Sequence, residues 1–243
     1  MGFDSWTGHG TFSLAVPNLP TFGKPDGAEL LWAVGIGLAA AVLALGIRYL
    51  GLYLRPYVER RLVLLTPVAG IAVRGLAVIF AEWTGKSSSL VLFSGQSALP
   101  SLLENSATFS VGALILLVVC KGLAYGISLS SFRGGPTFPA MFLGAVGGVA
   151  LSHLPGLPLV DGVAIGIGAM TVVMLRLPLT SVLLATLLLS SDGLQIMPLA
   201  IVAVAVGYVV SARLTPNPAP VATPGQAGAG APPPPAVPSP PAG

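Results

Sequence analysis

Apolar residues run along this sequence in long blocks that are interrupted by single charges rather than by alternating polar positions. Between residues 87 and 213 only seven residues are charged. A helix needs about 20 residues to cross the hydrocarbon core of a bilayer. The run from Leu30 to Leu54, the central run 134–160 and the run 193–212 are each long enough to cross alone, so we predict several membrane-spanning helices.

Three further uncharged stretches have only 14 to 16 residues each: 105–120, 162–175 and 177–191. They are too short to cross upright unless their flanks extend them. Glycine and proline stand at many of their ends, which is typical of half-helices that meet inside a membrane. Irregular backbone is tolerated there only if it is buried in protein or lines a cavity. The pattern predicts an all-α, polytopic membrane protein with broken and tilted helices.

The composition supports a membrane protein and excludes several other classes. Of the 243 residues 54% are hydrophobic and 8% are charged, whereas about a quarter of the residues in soluble domains are charged. The single cysteine, Cys120, excludes a disulfide framework and a cysteine-rich zinc site. His9 and His153 stand alone, so we expect neither a metal nor a cofactor. The net charge is only +3 and the basic residues do not cluster, so we expect no nucleic-acid partner.

The polar and proline-rich ends divide the chain into three parts. Residues 1–27 have no helical period and no basic start, which indicates an extramembrane segment or a shortened linker rather than a signal peptide. Residues 28–213 form the predicted membrane domain. Residues 214–243 are uncharged and contain eleven prolines, seven alanines and four glycines, a composition that predicts a disordered tail.

The stretch 130–144 holds the most informative motif. Gly134 and Gly135 allow a tight turn without steric hindrance. Pro136 suits the first position of the next helix, predicted over about 136–153, because a missing N–H costs nothing there. The start of that helix would present free N–H groups and the positive end of its dipole, which suits an anion. A packing turn between two apolar helices explains the same residues equally well, so both interpretations stay open on these residues alone.

Three segments in this region resemble the CLC family of chloride channels and chloride/proton antiporters. Residues 134–139 (GGPTFP) are similar to the family's GGxFxP signature, residues 164–169 (AIGIGA) to its glycine-rich helix start, and residues 176–180 (RLPLT) to its R-x-P-L-T segment. Their order and spacing agree with the family's, and a short amphipathic helix expected over 94–104 fits as well. The resemblance implies the second inverted repeat of a CLC subunit and, as function, chloride (anion) transport across a cell membrane.

The resemblance also implies which residues bind the anion. In the family, backbone N–H groups that follow the Gly-Gly pair face the ion, and here Gly135, Thr137 and Phe138 are the candidates. Pro136 departs from the family's pattern because proline has no N–H, so at least one donor is lost. We expect Thr137 to supply its N–H and its hydroxyl instead, followed by the N–H of Phe138.

The resemblance covers only the second half of a CLC subunit. The family's first-half anion loop (G-S-G-I-P) and the loop with its gating glutamate (G-x-E-G-P) do not occur in the sequence. We therefore expect a partial subunit. Two hypotheses follow: the chain is part of a channel or transporter, or it is a non-conducting membrane fragment that pairs with a separate first half or is inactive. A membrane enzyme is not expected, since no nucleophile–base pair is evident.

The expected partners are chloride or another small anion, the lipid bilayer and a second copy of the chain. In the family two subunits associate through helices that correspond to 28–54 and 177–212, whose apolar faces are compatible with a homodimer. The orientation stays open. The positive-inside rule places Arg55, Arg60 and Arg61 in the cytoplasm, whereas the family's layout, which we favour, places that loop outside.

Three basic residues near the motif each have two interpretations. Arg176 could attract anions into a vestibule, but such an arginine more often marks the membrane boundary, which we favour. Lys121 lies in the middle of a span and would need a partner if it were buried; we favour a tilted helix that lets it reach the surface. Arg133 could focus anions electrostatically or cap the preceding helix.

Overall fold

The computed structural model describes residues 27–96, 98–132, 134–189 and 193–215, and the regular structure in these ranges is entirely helical. The helices are α1 (Gly27–Arg60), α2 (Leu62–Thr84), α3 (Ser89–Leu92), α4 (Ala98–Glu104), α5 (Val111–Ser131), α6 (Thr137–Leu151), α7 (Leu159–Leu175), α8 (Pro178–Leu188) and α9 (Gly193–Leu214). The extramembrane segment and the disordered tail predicted at the two ends lie, except for their innermost residues, outside the described residues, as does Arg133.

Four helices are long and apolar enough to cross a bilayer: α1, α2, α5 and the part of α9 from Ile196 to Leu214. In α2 only 11% of the most apolar stretch is buried within the chain, so its apolar side chains must be covered by lipid or by another protein. Helices α6, α7 and α8 are apolar but shorter. The predicted all-α, polytopic membrane fold is confirmed.

The short helices α6 and α7 form the centre of the fold. Nearly every residue of α7 is buried, as are most residues of α6, which is expected of helices that are apolar on all sides. They pack against each other, and α1, α5, α8 and α9 surround them. Their position in the interior, rather than their length, explains how helices of 15 and 17 residues remain inside a membrane protein.

Four glycines bring α6 and α7 into backbone contact. A Cβ atom added at Gly144 would clash with the carbonyl oxygen of Gly166, and one added at Gly148 would clash with the carbonyl oxygen of Gly162. Even alanine would therefore push the two helices apart. Small residues that allow such close approach are a common basis of helix association in membranes.

Two turns set helix boundaries that the sequence left open. The helix predicted over about 136–153 is confirmed as α6, but the whole uncharged run 134–160 does not cross as one helix, because α6 ends at Leu151 and a turn with Gly156 at φ +83° leads into α7. The helix expected over 94–104 is α4, which begins only at Ala98, after a turn in which Gly95 has φ +89°. In both places glycine supplies a backbone conformation that other residues rarely adopt.

Candidate anion-binding site

The loop between α5 and α6 builds the candidate site. Helix α5 ends at Ser131 and Phe132 is extended (φ −121°, ψ 147°), so the chain leaves the helix at once. Pro136 stands immediately before α6 rather than in its first position, and Thr137 is the first helical residue. The earliest backbone bond at this end runs from the N–H of Ala140 to the carbonyl oxygen of Pro136, at 3.2 Å.

This arrangement leaves few N–H groups at the start of α6. The first N–H groups of any helix have no carbonyl one turn earlier to accept them, which here applies to Thr137 and Phe138. Pro136 and Pro139 have no N–H at all. The helix start therefore presents two unpaired helical donors and the positive end of the dipole, with Gly135 as the nearest donor before them.

An open cavity of about 270 Å³ adjoins this loop. Gly134, Gly135 and Pro139 form one part of its wall, and residues of α2, α3 and α5 form the rest. Of the predicted site residues, the structure brings Gly135 to the cavity. Thr137 and Phe138 do not line it: Thr137 is half-buried and Phe138 is 36% exposed.

A polar stripe on α5 faces the same cavity, and sequence reasoning missed it. Lys121, Tyr125 and Ser128 all line the cavity, as does Phe132 beyond the end of the helix. Their spacing of four, three and four residues places them on one face of a helix. The signal was present in the sequence as the recurrence of polar side chains at helical intervals within an otherwise apolar span.

Tyr125 connects the stripe to the start of α6. Its hydroxyl donates to the carbonyl oxygen of Pro136 at 3.4 Å, a length at which a hydrogen bond is weak. The phenol group thus lies beside the first turn of α6, and the cavity reaches from Lys121 past Tyr125 to the two glycines.

Lys121 does not reach the surface, and the prediction that it would was wrong. The side chain is 3% exposed. Its ammonium donates to the carbonyl oxygens of Leu90, at 2.7 Å, and Phe93, with a longer contact of 3.4 Å to that of Val91. The ring of Phe142 lies 4.6 Å from the nitrogen. These carbonyls belong to the last turn of α3 and the residue after it, where carbonyl groups lack helical partners and carry partial negative charge.

Two other charged residues lie at opposite ends of α7, and of these only Arg176 was singled out from the sequence. Asp161, in the first turn, is fully buried, and neither of its carboxyl oxygens has a hydrogen-bond partner. Arg176 follows the last turn and is half-buried, with two of its side-chain nitrogens shielded from solvent and unpaired. Arg176 is therefore not simply an exposed boundary residue.

The family model for voltage gated chloride channels matches residues 5–212 of the chain. The chain belongs to the voltage-gated chloride channel family. No curated protein and no solved structure matches the chain. Together with the four apolar helices, membership makes the chain an integral, multi-pass membrane protein of a family of chloride channels and transporters, which confirms the resemblance seen in the motifs.

Proposed function

We propose that the chain binds chloride, or another small anion, where the cavity meets the first turn of α6, and that it contributes this site to an anion channel or transporter. The proposal is carried by three features that lie close together: an open cavity, the start of a helix with unpaired N–H groups, and a buried ammonium on the cavity wall.

The charges around the cavity favour an anion over a cation. Lys121 is the charged residue among those described that line it, and no aspartate or glutamate does so. Because the protons of the ammonium are directed at backbone carbonyls, Lys121 acts on an ion in the cavity through its electric field rather than by a direct hydrogen bond. In a low-dielectric environment such a field is screened far less than in water.

We propose that the donors at the helix start contact an ion at the edge of the cavity, where Gly135 forms part of the wall. Gly135, Thr137 and Phe138 each offer a backbone N–H, and Thr137 adds a hydroxyl. The proline at position 136 removes one donor relative to the family's signature, so the threonine hydroxyl is the natural replacement. Tyr125 Oη, beside the same turn, is a further hydroxyl within the site's surroundings.

Replacement of Thr137 by valine tests this assignment. Valine has nearly the shape of threonine but no hydroxyl, so chloride binding should weaken about tenfold or more, the worth of one hydrogen bond to a charged group. Isothermal titration calorimetry of the full chain in detergent measures the affinity. Thr171→Val is the matched control, because the Thr171 hydroxyl is buried in α7 without a hydrogen-bond partner. Chloride affinity equal in the two variants would contradict the role of Thr137.

We further propose that the chain is a partial subunit that supplies the second half of a pore. The absence of the two first-half loop motifs from the 243 residues supports this reading. Chloride efflux from liposomes that contain the chain alone tests it against the second hypothesis: flux no greater than from empty vesicles favours a non-conducting fragment, whereas selective flux shows that the chain conducts by itself. Binding and flux are separate readouts, so a fragment that conducts no chloride can still bind it.

A homodimer through 28–54 and 177–212 is the third part of the proposal. Leu179, Leu183 and Leu187 recur at intervals of four on α8 and are all exposed, by 75%, 44% and 69%. A stripe of this kind suits either lipid or a second copy of the chain. Replacement of Leu183 by tryptophan should disrupt a dimer in detergent, as measured by light scattering, whereas the same change at Ile71 on α2, also exposed, should not.

A further inference from the structure

The end of α7 has an unusual residue in an unusual backbone conformation. Arg176 caps the helix with φ 59° and ψ 30°, and its N–H donates to the carbonyl oxygen of Val172 at 2.8 Å. Within the described ranges it is the one residue other than glycine with positive φ. Helices that end in this left-handed conformation usually use glycine or asparagine there, since a larger side chain is strained. Glycine would adopt this backbone conformation without strain, but the chain has an arginine there.

A second arginine lies next to it. Helix α1 packs against α7, and Ala28 and Trp32 near the start of α1 lie against Gly156, just before α7 begins, so the two helices run in the same direction. Arg48 lies 20 residues beyond Ala28, and Arg176 lies 20 residues beyond Gly156. Two guanidinium groups of like charge are therefore neighbours at the end of α7.

Neither guanidinium has a partner for its shielded donors. Nε and Nη2 of Arg176, and Nη1 of Arg48, are buried and make no hydrogen bond with any part of the chain that the structure describes. The ion pair found among those residues joins Arg55 and Glu59 and is remote in sequence from Arg176. Buried donors without acceptors are rare in proteins because they lose their hydration without compensation. Here two such groups also repel each other.

We propose that Arg48 and Arg176 form a second anion site at the end of α7 and that its ligand is a tetrahedral oxyanion of the phosphate class. Nε and Nη2 lie along one edge of a guanidinium and donate in parallel, a geometry that matches two oxygens of one phosphate group. Nη1 of Arg48 adds a donor for a third oxygen. Chloride can accept from both donors of one fork but is a single acceptor centre, whereas a phosphate group offers a separate oxygen to each donor.

The same chemistry has two sources, the phosphate of an anionic lipid headgroup and free inorganic phosphate. In the single chain Leu177, the residue that follows Arg176, is apolar and 52% exposed, so both a lipid and a solute can reach this end of the helix. The experiment is therefore designed with one arm for each source.

The first arm uses the purified full chain in neutral detergent, with inorganic phosphate as the probe in calorimetry. The parent should bind phosphate, and Arg176→Gly should weaken binding at least tenfold, because it removes a charged two-donor fork. Arg176→Gly suits the left-handed cap, so loss of binding would not reflect loss of folding; Arg48→Gln provides an independent second variant. Arg74→Gln, an exposed arginine on α2, is the control and should bind phosphate like the parent.

The second arm uses nanodiscs of phosphatidylcholine with and without phosphatidylglycerol, and native mass spectrometry to count retained phosphatidylglycerol. Retention that is lost in Arg176→Gly and Arg48→Gln, but kept in Arg74→Gln, assigns the site to a headgroup; phosphate binding in the first arm without such retention assigns it to the free ion. The proposal is overturned if neither probe binds the parent, if both variants bind like the parent, or if chloride displaces phosphate at equal concentration.

Discussion

Lys121 and the pair Arg48 and Arg176 are cations enclosed by the same set of apolar helices, but their surroundings differ in one respect. The ammonium of Lys121 is directed at backbone carbonyls and at an aromatic ring. The guanidinium groups face no acceptor with three of their nitrogens. The donors of Lys121 are used within the protein, so its ammonium stabilises the fold and acts on an ion in the cavity only through its electric field. The unused donors of Arg48 and Arg176 are available to bind a ligand directly.

Lys121→Met should produce the largest loss of stability, because it leaves the carbonyl groups at the end of α3 buried without a donor. We expect a loss of about 3 kcal/mol, measured by equilibrium unfolding in mixed micelles with increasing dodecyl sulfate. Lys86→Met is the matched control: the Lys86 ammonium lies 4.5 Å from the ring of Phe109, almost the same distance as in Lys121, but bonds to Thr108 in an exposed position. That change should cost less than about 1 kcal/mol. Equal losses would remove the distinction drawn for Lys121.

Gly95→Ala should have the next largest effect and tests how firmly the ring over Lys121 is held. A Cβ at Gly95 would overlap the side chain of Phe142 and would also be strained by φ +89°. Gly85→Ala shares only the strain, since Gly85 has φ +66° and open space around it. We expect Gly95→Ala to cost about 2 kcal/mol more than Gly85→Ala in the same unfolding measurement. If the two costs agree, the ring moves freely and contributes little to the surroundings of Lys121.

Arg176→Gly should have the smallest effect, and of opposite sign. In the absence of phosphate and anionic lipid it removes unpaired buried donors, a like-charge neighbour and a strained backbone, so stability should rise by about 1 kcal/mol. Arg74→Gly, within the exposed surface of α2, should instead lower it by a similar amount through loss of helix propensity. A decrease in the stability of Arg176→Gly would mean that the arginine supports the fold in a way its contacts do not reveal.

The helices were predictable because the bilayer imposes a simple requirement. An uncharged run of sufficient length predicts a span, and this reasoning located the helices now described as α1 and α9. It did not locate α5, because Lys121 interrupts that helix and leaves only the short uncharged run 105–120. It failed over 134–160, where charge is absent from a turn as well as from the helices beside it. Pro155, Gly156 and Pro158 marked that turn, but in a sequence so rich in glycine and proline such signals are easily underweighted.

The candidate site was predictable only in its backbone. Gly134, Gly135 and the following prolines fix where α6 starts, and that information is local. The role of Lys121 is not local, because its acceptors lie 28 to 31 residues earlier in the chain. The same holds for Arg176, whose neighbour Arg48 is on a helix far away in sequence. Pairings of this kind depend on how helices pack, which hydrophobic patterns do not encode.

The glycine contacts between α6 and α7 limit how such a protein can move. With backbone against backbone at two successive turns, neither helix can slide or rotate past the other without opening a gap or creating a clash. Whatever rearrangement accompanies transport, α6 and α7 must travel as one rigid body. The start of α6 and the end of α7 both belong to that body. A ligand that restrains Arg176 would therefore also restrain the helix start at Thr137, and ligand binding at either end would limit the motion of the other.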